Sequence, residues 1–197
     1  MSSKKFASQS KHFGLCGQVL KKALRRELIE RRRAMDKTAK EAADKDIFEQ
    51  LKPLVDNAGA VFTYASTDIE VDTRRLIAYC LERKIPVALP VSGDTLSFYY
   101  INDVSELKKG RFGIDEPPAD RPANADENTL CIVPALCADG EGLRLGYGRG
   151  YYDRFLSGFP GKSVIICYSG FKREVPAEPH DFGANLTVFD RQMTEVV

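Results

Sequence analysis

The chain has 197 residues, 43% hydrophobic and 29% charged, with 29 Lys and Arg against 28 Asp and Glu. It fits one domain of ordinary size with a real core and a soluble surface. No apolar run approaches a membrane span, and the N-terminus lacks the apolar stretch of a secretory signal. Five cysteines, an odd number with no C-x-x-C pair, argue against a disulfide framework or a zinc site. Two histidines, His12 and His180, argue against a His-rich metal centre. The expectation is a reduced, cytoplasmic protein without a membrane partner.

The net charge of +1 hides an asymmetry. Residues 1–33 hold ten Lys and Arg against Glu27 and Glu30, a net of +8, so the remainder is −7. A basic segment on an acidic body suggests an anionic ligand near that segment.

Residues 1–18 are polar and read as a flexible, irregular extension. From Val19 to Met35 the pattern is helical, with Leu20, Leu24 and Leu28 as an apolar stripe and the cations on the other faces. Asp36 caps a second helix, Lys37 to Lys52, which Pro53 helps to end. Ala60 to Ala65 reads as a strand, followed by the polar connection Ser66–Val71. Asp72 caps a helix to about Arg83. Ile85–Pro90 and Leu96–Ile101 are strands around a turn at Ser92-Gly93-Asp94. Residues 102–128 are irregular, with turn chemistry at Lys109–Gly113 and Glu116–Pro118. Leu130–Ala135 and Ser163–Tyr168 are core strands, and a last strand lies around Leu186–Phe189. Cys131 and Cys167 sit in two of these apolar runs. The rhythm implies an α/β fold: a three-layer sandwich around a mostly parallel sheet, in a single domain over residues 19–197.

The stretch Arg144-Leu145-Gly146-Tyr147-Gly148-Arg149-Gly150-Tyr151-Tyr152-Asp153 stands out. Alternate glycines let the backbone turn sharply and approach a ligand. Amides ahead of a helix suit an anion such as phosphate. The arginines add fork-shaped positive charge, and the aspartate can hold a metal that travels with phosphates. Other glycine loops fit worse. The spacing is not G-x-G-x-x-G after a first strand. Gly161-Lys162-Ser163 imitates the end of a P-loop, but Leu156 stands where glycine is needed. No serine forms a nucleophile elbow. The chemistry reads as positioning and electrostatics around phosphates, without a protein nucleophile.

The R-L-G-Y-G-R-G-Y-Y-D-R run resembles the signature of the 5-formyltetrahydrofolate cyclo-ligase (5,10-methenyltetrahydrofolate synthetase) family. K-K-A-L-R-R near the start, S-T-D-I-E-V-D-T after the first strand and V-P-A-E-P-H-D near the end agree in order. Tyr147 and Arg149 stand where some members carry Arg and Lys. The resemblance covers about residues 19 to 190. It implies closure of 5-formyltetrahydrofolate to 5,10-methenyltetrahydrofolate with MgATP, through phosphorylation of the formyl oxygen, with ADP and phosphate released.

Carried over by position, it implies ATP binding by Lys21, Lys22, Ala23, Leu24 and Arg25, and by the loop Arg144, Leu145, Gly146, Tyr147, Gly148, Arg149, Gly150, Tyr151 and Tyr152. Arg144 and Arg149 would be catalytic. Ala65, Glu70, Tyr147, Gly148, Arg149, Gly150 and Tyr151 would bind the folate. Asp153 and Asp181 would hold Mg²⁺. Plainer readings stand beside these: a helix-start acid for Asp153, a turn residue for Asp181, a solvated acid for Glu70, and packing for one of Tyr151 and Tyr152. Expected partners are the two small-molecule substrates, 5-formyltetrahydrofolate and ATP, with no nucleic acid, in a monomer or weak homo-oligomer. Two rival readings are a nucleic-acid module on residues 19–33 and a sugar-phosphate or CoA enzyme on a similar sheet.

Overall fold

The computed structural model describes residues 3–110, 113–176, 178 and 181–191, with side chains from Gln18 onward. Arg111, Phe112, Ala177, Pro179 and His180 of the turn motifs lie outside the described residues, as do the side chains of His12 and Cys16.

Helix α1 spans Ser3–Arg33. It runs back through the segment that reads as irregular; residues 1–33 hold no proline, and the two glycines, Gly14 and Gly17, do not break it. Helix α2 spans Lys37–Asp56. Asp36 caps it, its carboxylate accepting from the Ala39 amide at 2.9 Å, an interaction worth about 1 kcal/mol. Pro53 does not end this helix but lies inside its last turn. There it forfeits one backbone bond on the exposed side, while Val55 beyond it is fully buried and holds the final turn to the core.

Strands follow at β1 (Ala60–Phe62), β2 (Val87–Ser92) and β3 (Leu96–Ile101), with α3 (Arg74–Glu82) between β1 and β2. A small hairpin pairs β4 (Lys108–Lys109) with β5 (Asp115–Glu116). Then come β6 (Thr129–Pro134), a hairpin of β7 (Cys137–Ala138) and β8 (Arg144–Leu145), α4 (Tyr151–Leu156), β9 (Lys162–Cys167) and β10 (Leu186–Phe189).

The six main strands form one sheet in the order β10-β9-β6-β1-β2-β3. All neighbours are parallel except β2 and β3, a hairpin with Val87 opposite Ile101. The central parallel strands β6 and β9 are apolar runs buried on both sides, whereas the edge strand β10 is partly exposed. On one face Phe62 stacks on Phe98 at 4.6 Å, and Phe155 of α4 sits 4.8 Å from Phe98. Burying each such ring contributes roughly 1.5–3 kcal/mol. α2 and α3 pack together through Phe48 and Tyr79, edge to face at 5.6 Å.

The order of the strands locates the site. The crossover from β1 through α3 to β2 moves one way across the sheet; that from β6 through α4 to β9 moves the other way. Right-handed crossovers in opposite directions put α3 and α4 on opposite faces and open a crevice between the carboxyl ends of β1 and β6.

Candidate functional site

A cleft of about 870 Å³ lies at that crevice. Tyr64 and Ala65 line it from beyond β1, and Pro134 from the end of β6. One wall is α1. Lys21, Arg25, Ile29 and Arg33 recur every four residues and so share one helix face along the cleft. Lys22, Ala23 and Leu24 do not line it. At 100° per residue they turn away, Lys22 and Ala23 to solvent and Leu24 toward the core.

Lys21 is only 4% exposed. Its ammonium lies 2.7 Å from Asp181 and 2.8 Å from Glu178. Burial alone would lower its pKa, but hydrogen bonds and charge from Asp181 and Glu178 outweigh it and raise the value. Glu178 escaped the sequence reading, although it lies in the same P-A-E-P-H-D motif as Asp181.

The glycine loop forms the floor. Arg25 donates from Nε to the Gly146 carbonyl at 2.9 Å. Gly148 has φ 95°, and a Cβ there would sit 3.0 Å from the Arg25 guanidinium carbon. Glycine at this position permits both the backbone twist and the close approach of Arg25. Gly150, at φ 63°, turns the chain into α4. Arg144 is buried; it donates to Asp153 at 3.0 Å and to the Phe182 carbonyl at 2.9 Å. It therefore ties the loop to the segment before β10. Arg149, whose side chain is exposed, also lines the cleft.

The two tyrosines divide. The Tyr151 hydroxyl donates to the Gly93 carbonyl at 3.0 Å, linking the loop to the turn between β2 and β3. Tyr152 packs inward beneath Arg144, 6.0 Å from its ring, with a buried hydroxyl that has no partner among the described residues. Burial pushes its phenol well up.

Glu70 stands on the opposite side, 8% exposed. One of its oxygens accepts from the amide and the hydroxyl of Thr67, both at 2.8 Å. Tyr147 lies near it; burial and then the Glu70 carboxylate push the Tyr147 phenol up. Asp115 and Glu116 of β5 complete the far wall. The irregular reading of residues 102–128 did not anticipate this hairpin.

Asp153 and Asp181 both line the cleft. The amide of Phe182, next to Asp181, donates to Asp153 at 3.3 Å. Two carboxylates on one wall are the oxygen donors that a hard cation such as Mg²⁺ takes alongside phosphate and water. Among the described residues no three His, Cys, Asp or Glu converge as a metal cage. Mg²⁺ here would therefore draw most of its ligands from a phosphate group and water.

The basic helix differs from its sequence reading at both ends: Leu20 of the expected apolar stripe is 57% exposed, while the cations Lys21 and Arg32 are buried. Arg32 is not on a solvated face but 2% exposed, donating to the carbonyls of Ile69, Ala135 and Leu136 at 3.0, 2.7 and 2.9 Å. It continues the Leu20, Leu24, Leu28 stripe at the same spacing, a signal present in the sequence. Lys21, Arg25 and Arg32 thus all act within the molecule. Cys80, Cys131, Cys137 and Cys167 are buried and free. Burial raises the Cys80 thiol to about 12 and the Cys167 thiol to about 11, so neither is a thiolate at neutral pH. Among the described residues no helix is long and apolar enough to cross a membrane.

Fold and cleft together define an α/β protein with a switch-point crevice that pairs cationic and acidic walls over a glycine loop. Residues 18–189 match the model of the 5-formyltetrahydrofolate cyclo-ligase family. The chain belongs to that family of enzymes. The 5-formyltetrahydrofolate cyclo-ligase of Mycolicibacterium smegmatis is 30% identical over 172 residues, covering 82% of this chain and 89% of the relative. That of Escherichia coli K12 is 36% identical over 110 residues, covering 53% of this chain and 60% of the relative. The solved 5,10-methenyltetrahydrofolate synthetase of Aquifex aeolicus superposes with a TM-score of 0.78 at 29% identity, covering 87% of this chain and 90% of the other.

Proposed function

We propose that the chain closes 5-formyltetrahydrofolate to 5,10-methenyltetrahydrofolate in an ATP- and Mg²⁺-dependent reaction. Membership of the cyclo-ligase family supports the cyclisation. The observation that carries the finer reading is the convergence of Lys21, Arg25, the glycine loop and Glu70 on one cleft.

The formyl oxygen attacks the γ-phosphorus, and ADP departs. The neighbouring amine nitrogen then attacks the activated carbon and gives up its proton to solvent, and the C–O bond breaks to release phosphate. An amide-like oxygen is a poor leaving group; phosphorylation makes it a good one. No side-chain nucleophile is needed, and the protein's contribution is alignment, charge neutralisation and exclusion of water.

In this reading Lys21 and Arg25 approach the triphosphate from α1. The amides of Gly146, Gly148 and Gly150 donate to its oxygens. Arg149 stabilises charge during transfer, while Arg144 holds Asp153 and the loop in place. Asp153 and Asp181 would hold Mg²⁺, which supplies charge neutralisation at the phosphates. Glu70 accepts two hydrogen bonds from the amine and ring N–H of the pterin, beside Ala65. Tyr147 and Tyr151 flank the bound folate.

The test is spectroscopic. Folded protein mixed with 5-formyltetrahydrofolate and MgATP should develop the absorbance of the methenyl product, and ATP should be required. No ATP-dependent product overturns the reading.

A further inference from the structure

The segment that carries Glu70 has no regular secondary structure, yet four side chains, two from helices and two from just beyond strands, hold four consecutive residues of it. Arg32 of α1 donates to the Ile69 carbonyl at 3.0 Å. The Tyr168 hydroxyl, just past β9, lies 2.9 Å from the Glu70 carbonyl. The Tyr64 hydroxyl, past β1, donates to the Val71 carbonyl at 3.2 Å. Asp44 of α2 accepts from the Asp72 amide at 3.0 Å.

Two of these groups also meet each other. The Tyr168 hydroxyl is 2.7 Å from Asp44, so its proton is shared between that carboxylate and the Glu70 carbonyl. The Arg32 guanidinium stacks 5.0 Å from the Tyr168 ring. Tyr168 is fully buried. Burying Arg32 against carbonyls costs desolvation that an apolar residue would avoid. Arg32 also reaches the Ala135 and Leu136 carbonyls, so it ties the Glu70 segment to the end of β6, and core filling alone does not call for a cation and a phenol that reach the Ile69 and Glu70 carbonyls.

We propose that Arg32 and Tyr168 are positioning residues for substrate recognition, fixing the backbone of Ile69 and Glu70 so that the Glu70 carboxylate meets the pterin at one depth and angle. This rests on the reading of Glu70 as the pterin acceptor. A bidentate contact tolerates little displacement, so loosening the backbone should weaken folate binding while leaving the nucleotide side unaffected.

The test is a double-mutant cycle read on Michaelis constants. Tyr168→Phe keeps the ring and removes the hydroxyl; Arg32→Lys keeps the charge and removes the fork. Each should raise KM for 5-formyltetrahydrofolate about fivefold with KM for ATP within about twofold. Glu70→Gln alone should raise the folate KM at least as much. Adding Tyr168→Phe or Arg32→Lys to Glu70→Gln should then raise it no further, because the pair acts through Glu70. A merely structural role would give additive effects, or equal effects on both substrates, and either result overturns the proposal. An unchanged folate KM in Glu70→Gln overturns the reading of Glu70 itself, and the inference with it. The wild-type protein gives an independent reading: the amides of Glu70 and Asp72 should exchange with solvent as slowly as those of β6. Rapid exchange there overturns the clamp even if a variant fails to fold.

Discussion

Lys21 and Asp181 lie 160 residues apart in sequence, and 2.7 Å separates the ammonium of one from the carboxylate of the other. Glu178 shares the same ammonium at 2.8 Å. The cation proposed for the phosphates is therefore already engaged by two carboxylates. Lys21→Met should raise KM for ATP about tenfold. It should also destabilise the fold by about 2 kcal/mol, since two partly buried carboxylates lose their partner. ATP titration and urea unfolding measure the two effects; an unchanged ATP constant removes Lys21 from the nucleotide site.

Two glycines separate a functional close approach from a structural one. Gly148→Ala would place its Cβ 3.0 Å from the Arg25 guanidinium at φ 95°. Gly161→Ala would drive its Cβ to 2.1 Å from the Thr129 carbonyl oxygen, far from the cleft. The first should raise the ATP constant about tenfold and also lower the melting temperature through its positive φ; the second should lower the melting temperature and spare both constants. An unchanged ATP constant in Gly148→Ala would make the glycine loop a mere connector.

Arg149→Ala should reduce kcat on the order of 100-fold and change the folate constant much less, because in the proposed transfer its charge acts as the phosphoryl group moves. Unchanged turnover would take it off the catalytic list. Asp153→Asn should raise the Mg²⁺ needed for half-maximal rate about tenfold. It should also lower the melting temperature, because Arg144 loses its partner at 3.0 Å. A lower melting temperature alone would leave Asp153 as a tie for Arg144.

Acid sensitivity has an identifiable source. Burial would raise the Asp46 carboxyl, but hydrogen bonds and charge from Arg191, with Gln50, hold it below its ordinary value. Asp72 is lowered in the same sense by Arg74. A depressed folded pKa contributes stability above the unfolded value of about 3.9 that is lost as pH falls through the folded one. Melting temperature should therefore fall steeply below about pH 4. Asp46→Asn should be less stable at pH 7 and show a shallower acid slope. An unaltered slope would mean that other carboxylates set it.

What the sequence revealed follows from which interactions are local. Leu186–Phe189 was legible to the residue as β10, since a short apolar run between turns has few alternatives. The glycine loop and its helix were legible because Gly146, Gly148 and Gly150 carry meaning in order. Pro53 misled, because the burial of Val55 is a tertiary effect. Arg32 was missed because chemistry favours solvent for arginine, although its spacing from Leu28 placed it inward. Tyr168 and Asp44 could not be paired from sequence at all: 124 residues separate them, and only the folded sheet brings the phenol to α2.

The strand order has a consequence for a chain still being made. Among the described strands β1 comes first in the chain, yet it ends inside the sheet, with Val61 against Val87 on one side and Leu130 on the other. Until β6 emerges, one edge of β1 has no partner and invites mispairing with other chains. The crevice between β1 and β6 does not exist before that moment either. Pairing with β6 therefore covers the vulnerable edge before the cleft is complete, because its floor at residues 144–154 and the acids Glu178 and Asp181 follow β6 in the chain.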